Sequence, residues 1–136
     1  MRPKILIVDD HDDFRKTVRE YLEKNNLGIE IFEAATAAMA VTKAACVKPR
    51  VILMDISLPG DNGFTAIKEI KRDNPECDVI ILSMFEVDSF RKMAREVEAR
   101  EFIGKSEVYE KLIPAIRKCL NGRIGPNTKG KENEHY

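Results

Sequence analysis

The sequence predicts an α/β domain, a parallel sheet with helices on both faces, and three observations carry that reading. Short, wholly apolar runs at Ile5–Val8, Val51–Met54 and Val79–Leu82 have strand length. Between them lie segments with helical apolar spacing, so that strand and helix patterns alternate five times. The length, 136 residues with 43% hydrophobic and 34% charged, fits one domain with a single sizeable core. The expected class is therefore a (βα)5 doubly wound domain with five parallel strands.

The first strand is Lys4–Asp9, four branched aliphatics ending in acid. Its apolar character, like that of Val51–Met54, implies burial on both faces, as central strands require. Phe14, Val18, Tyr21 and Leu22 form one face of the first helix, with Asp12 and Asp13 suited to its first turn. Ile29–Ala34 begins with apolar and polar residues alternating, the pattern of a half-exposed edge strand. Thr36 is placed to cap an Ala-rich helix from Ala37 to about Cys46. The third strand, Val51–Met54, runs directly into Asp55, and Ser57 to Gly63 carries the turn residues of a loop.

Phe64, Ile67 and Ile70 mark a third helix that ends before Pro75, and Val79–Leu82 is a strand ending at Ser83. Val87, Phe90, Met93, Ala94 and Val97 mark the fourth helix. Phe102–Ile103 is a short fifth strand ending near Lys105. Ser106 is placed to cap a last helix whose apolar face is Tyr109, Leu112, Ile113, Ile116 and Leu120. Pro114 lies inside it, where it removes one backbone bond and bends the axis. The composition turns polar and Gly/Pro-rich after Asn121, which divides the chain into a domain at 1–121 and a polar linker or tail at 122–136.

Composition excludes several classes of function. No apolar run approaches the roughly 20 residues of a membrane helix, and a net charge of zero argues against nucleic-acid binding by this chain. Cys46, Cys77 and Cys119 lie far apart, without metal-ligand spacing. With no signal-peptide pattern at the start, reduced thiols and a cytoplasmic location are the expectation.

Sites in open α/β sheets lie beyond the carboxyl ends of the strands. The residues there are Asp9 and Asp10, Asp55, Ser83 and Lys105. Carboxylates brought together repel unless a cation neutralises them, and an oxygen-rich acidic cluster suits Mg2+. A carboxylate is also a competent nucleophile towards phosphorus, with an amine and a hydroxyl to stabilise the transferred group. Taken singly, each has a plainer explanation: a helix cap for the acidic pair, a strand-end acid for Asp55, a solvated lysine, a satisfied hydroxyl. His11, with no second His or Cys nearby, is expected to be an exposed loop residue and not a metal ligand.

The set of motifs resembles the receiver domains of two-component response regulators. Ile5-Leu6-Ile7-Val8-Asp9-Asp10-His11 is similar to their opening, and Met54-Asp55-Ile56-Ser57-Leu58-Pro59 with Gly63 to their acceptor loop. Ile81-Leu82-Ser83 resembles their hydroxyl strand and Phe102-Ile103-Gly104-Lys105 their lysine strand, in family order across about residues 3–121. The resemblance implies a strand order of 2-1-3-4-5, with Asp55 as phosphoacceptor. It implies that Asp10, Asp55 and the Ser57 carbonyl bind Mg2+, while Asp9 holds the metal's waters. It further implies that Lys105 and Ser83 contact the phosphoryl oxygens and that Ser83 and Phe102 form the switch.

A sensor histidine kinase or phosphotransfer protein is the implied donor, and a homodimer through helices one and five, or four and five, is compatible with the family. The chain departs from the pattern at Met84, where a small residue is usual and access is expected to narrow. It departs also at Ser106 in place of a proline, at Glu98 and Glu101 where glycines are frequent, and at Phe102 in place of tyrosine. Alternatives are an aspartyl phosphatase, a degenerate receiver serving only as a protein-binding module, and a receiver fragment of a DNA-binding transcription regulator. Lys105-Ser106 and Asn121-Gly122-Arg123 look closest to the last.

Overall fold

The computed structural model describes residues 2–56, 63–85 and 87–121. Five strands, β1 (Lys4–Val8), β2 (Glu30–Ala34), β3 (Val51–Asp55), β4 (Asp78–Ser83) and β5 (Glu101–Gly104), form one sheet in the order β2-β1-β3-β4-β5. Every adjacent pair is parallel. The helices are α1 (Asp12–Lys24), α2 (Ala37–Val47), α3 (Gly63–Asp73), α4 (Asp88–Glu96) and α5 (Val108–Asn121). The doubly wound architecture, its strand order and the edge position of β2 are as the sequence and its resemblance implied.

Alternation along the strands divides the core into two layers. Leu6, Val8, Ile52, Met54, Val79 and Ile81 face α2, α3 and α4. Ile5, Ile7, Val51, Leu53, Ile80 and Leu82 face α1 and α5. Both layers are fully buried at the sheet, which is why β1 and β3 read as continuous apolar runs. Thr36 caps α2, its hydroxyl accepting the Met39 amide at 3.0 Å.

Three local expectations are corrected. Ser106 does not cap the last helix: Lys105–Glu107 is a single 3-10 turn, and α5 begins at Val108. Tyr109 is not core but 64% exposed; its ring stands edge-on to Tyr21, whose hydroxyl donates to the Tyr109 carbonyl at 2.8 Å. On α4 the short helix buries only Ala94, with Phe90 half-buried, so Met93 and the preceding Val87 stay exposed. Pro114 sits on the exposed side of α5, where the lost backbone bond faces water and the helix runs on to Asn121. The backbone at Glu98 has a φ of +59°, in the left-handed region that favours glycine.

Candidate functional site

Strand register brings the acids together. Val8 lies opposite Met54 in the β1–β3 ladder, so the next residues along each strand, Asp9 and Asp55, emerge side by side. Both are almost wholly buried, each 1% exposed. Burying two like charges costs several kcal/mol unless a cation offsets it. Lys105, leaving β5, supplies one: its Nζ donates to Asp9 Oδ2 at 2.7 Å and to Asp55 Oδ2 at 3.4 Å. The lysine is itself buried, its ammonium 4.4 Å from the centre of the Phe14 ring. That contact orders the lysine stem and limits its access to water.

Asp10 lies beside this pair. Its Oδ1 is buried and accepts no hydrogen bond among the described residues, although His11 Nδ1 stands 3.2 Å away. The plainer reading of the acidic pair as a helix cap fails, because His11 occupies the N-cap position of α1. The Asp9 carboxylate instead accepts the His11 backbone amide at 2.8 Å. The His11 side chain makes no capping bond; its Nδ1 is 3.2 Å from both Asp9 Oδ1 and Asp10 Oδ1. Ligand atoms of Asp9, Asp10, His11 and Asp55 all lie within 4.8 Å of one another. Three carboxylates against one amine leave excess negative charge and one buried oxygen without a hydrogen bond, a donor set that fits a hard divalent cation.

Gly63 at the start of α3 permits a close approach to the end of β3. A Cβ there would lie 2.9 Å from the Ile56 Cα and 3.2 Å from the Asp55 carbonyl oxygen. Ser57, expected to lend its carbonyl, lies outside the described residues, as does the tail from 122 onwards. Ser83 is at the end of β4 and buried, but its hydroxyl closes its own loop: it donates to the Phe85 carbonyl at 2.8 Å and accepts the Phe85 amide at 3.0 Å. Around it Met84 and Phe85 are 65% and 57% exposed. Phe102 is half-buried against the α2–α4 layer, with the Arg91 guanidinium 4.7 Å from its ring centre.

Arg15 is a residue that sequence reading passed over. Its Nη1 donates to the Asp9 carbonyl at 2.6 Å, its Nε to Glu33 on β2 at 2.7 Å, and its Nη2 to Asp12 at 2.7 Å. Arg19 Nη1 takes the other Glu33 oxygen at 2.7 Å. Burial alone would lower the Arg15 pKa, but its bonds to Glu33 and Asp12 outweigh that and raise it. Burial likewise acts to raise the Glu33 pKa, and the two guanidinium groups override it, holding the carboxyl below its ordinary value. The readable signal was the i, i+4 spacing of two arginines on α1 beside an acid in an edge strand.

A groove lined by Arg2, Arg19, Leu27 and Glu30 lies at the opposite end of the sheet and includes none of Asp9, Asp10, Asp55, Ser83 or Lys105. No helix among the described residues is long and apolar enough to cross a membrane.

Comparison with known proteins agrees with this geometry. The family model for the response regulator receiver domain matches residues 5–117. The chain is 35% identical over 121 residues to the chemotaxis protein CheY of Bacillus subtilis, covering 89% of this chain and all of that one. It is 30% identical over 121 residues to the response regulator GacA of Pseudomonas aeruginosa, covering 88% of this chain but only 56% of GacA. Among solved structures, a LuxR-family two-component response regulator from Aurantimonas sp. superimposes with a TM-score of 0.82 at 28% identity, over 99% of this chain and 98% of that one. With five strands in the expected order and the acids gathered where β1 and β3 end, the chain belongs to the response regulator receiver domains of two-component systems.

Proposed function

We propose that Asp55 is the phosphoacceptor of this receiver and that a histidine kinase or phosphotransfer protein donates the group. One observation carries the reading: the buried carboxylates of Asp9 and Asp55 share a single amine, Lys105 Nζ, at 2.7 and 3.4 Å. An Asp55 carboxylate oxygen attacks phosphorus, the bond from phosphorus to the donor imidazole nitrogen breaks, and the imidazole, already protonated on its other ring nitrogen, takes the bonding pair and leaves as a neutral base. Lys105 swings its charge onto the phosphoryl oxygens. Asp10, Asp55 and the Ser57 carbonyl would hold Mg2+, with Asp9 on its waters. When bound, the ion neutralises charge on the transferred group.

Phosphorylation adds close to two negative charges to a dry crevice. The Ser83 hydroxyl then exchanges its bonds to Phe85 for one to a phosphoryl oxygen, drawing the β4–α4 loop inward and repacking Phe102. A coupling of about 1–3 kcal/mol is typical for such switches, and the surface it alters is α4, β5 and α5. The intact set of acids, acceptor and lysine favours this over a degenerate receiver that only binds a protein. The division into a domain at 1–121 and a linker at 122–136 belongs to the same proposal.

To test it, the protein is incubated with Mg2+ and acetyl phosphate and its intact mass is measured. Wild type gains one phosphoryl group and Asp55→Asn gains none. Equal labelling of both, or labelling of neither, would exclude Asp55 as acceptor.

A further inference from the structure

His11 is the group that the receiver reading leaves without a task. It occupies the N-cap of α1 yet makes no capping hydrogen bond with its side chain. The ring is turned over the acidic end of β1, with Nδ1 equidistant, at 3.2 Å, from Asp9 and Asp10. It thereby joins Asp9, Asp10 and Asp55 within one 4.8 Å cluster of donor atoms. Nδ1 hydrogen-bonds to Asp9 Oδ1 and lies equally near Asp10 Oδ1, a buried carboxylate oxygen that has no hydrogen bond among the described residues.

Resting on the metal-binding reading above, we propose that His11 supplies an imidazole nitrogen to that site and sets its selectivity among divalent cations. Oxygen donors alone serve Mg2+. Adding one imidazole favours borderline cations of the first transition row, rising from Mn2+ through Co2+ to Ni2+, and does little for Mg2+. A pocket with three carboxylates and one imidazole is therefore a mixed oxygen and nitrogen site, able to accept Co2+ or Ni2+ more tightly than its acids alone would allow.

The competing account treats His11 as a counter-charge to the two acids. The two accounts predict opposite outcomes. A counter-charge competes with every dication, so its removal tightens Mg2+ and Co2+ alike and leaves their ratio unchanged. A ligand contributes mainly to Co2+, so its removal lowers the ratio of Co2+ to Mg2+ affinity.

The experiment is isothermal titration of untagged full-length protein with Mg2+ and with Co2+ at fixed neutral pH. His135→Gln serves as the background, so that His11 is the remaining imidazole. His11→Ala and His11→Asn are compared with it; asparagine is a good N-cap, so the second variant separates ligand loss from helix fraying. Both are expected to lower the Co2+ to Mg2+ affinity ratio about tenfold. The Co2+ form of the background protein should also show a strongly shifted imidazole proton resonance that His11→Asn lacks. An unchanged ratio, or a proton spectrum identical in both proteins, overturns the proposal. Asp10→Asn keeps the two levels distinct: if it leaves binding of both metals intact, the underlying metal site is wrong. If it abolishes both while His11→Ala leaves the ratio alone, only the role of His11 falls.

Discussion

The two sides of the crevice are held in different ways. On the β1–β3 side, Lys105 ties Asp9 to Asp55, and Arg15 grips the Asp9 carbonyl while bridging to Glu33. On the β4–β5 side, Ser83 is bonded to its own loop, Met84, Phe85 and Val87 stand exposed, and Phe102 is half-buried beneath Arg91. Charge in a low-dielectric setting fixes the first side, whereas a serine turn and one cation–π contact secure the second. The difference fits the proposed function. Chemistry on Asp55 would need groups placed in advance, whereas a switch would need two arrangements separated by only a few kcal/mol.

The largest expected effect is on the charged side. Lys105→Met leaves two buried carboxylates without their amine, and the cost is about 3 kcal/mol of unfolding free energy at neutral pH. Urea denaturation with and without Mg2+ measures it. A loss below 1 kcal/mol would mean that the acids are not held as described. Gly63→Ala comes next. Its methyl group meets the Ile56 backbone at 2.9 Å, so the end of β3 must shift, at about 2 kcal/mol. Labelling by acetyl phosphate should slow as well; an unchanged melting point and rate would show that α3 yields instead.

Glu33→Gln is expected to cost about 1 kcal/mol at pH 7 as a partly exposed ion-pair network. The native Glu33 pKa is depressed, so its contribution is fully present above the ordinary value of 4.5 and disappears as pH falls through the lower folded value. Wild type and variant should therefore converge in stability in acid, which denaturation from pH 7 down to pH 3 would test; a constant gap contradicts the pairing. On the other side, Arg91→Ala should cost under about 1 kcal/mol, the range of an exposed cation–π contact. The Phe102 ring signals in NMR should nonetheless shift. Equal costs for Arg91→Ala and Lys105→Met would dissolve the contrast. The smallest effect is a gain: Glu98→Gly relieves a left-handed backbone at a φ of +59°, offset by unfolded-state entropy, for about 0.5 kcal/mol of added stability.

The strands and their ends were readable because β1 and β3 are buried on both faces and announce themselves as unbroken apolar runs. The acids, the hydroxyl and the lysine followed from standing just beyond those runs. What stayed hidden were contacts between residues distant in sequence. Phe14 against Lys105 joins the first helix to the last strand, and Tyr21 reaches Tyr109 across 88 positions. Neither has a local signature. Tyr109 read as core because its spacing fits the apolar stripe, but it lies near the start of α5, where its neighbour is another aromatic ring at the surface. Ser106 read as a cap because periodicity does not distinguish a 3-10 turn from the first turn of an α-helix. His11 is an exposed loop residue as expected, and the metal role proposed for it rests on carboxylates from two strands that no local pattern brings together.

The sheet also works as a partition wall. Phe102 packs with the layer that holds α2, α3 and α4, whereas α1 and α5 pack on residues of the opposite strand faces. Under the proposed switch, a change at Asp55 would reach α4 through Phe102 on one face and α5 through Lys105 and the 3-10 turn that follows it. The exterior of α1, across the sheet from Phe102, would then be the face free to change for assembly or docking without disturbing the proposed switch.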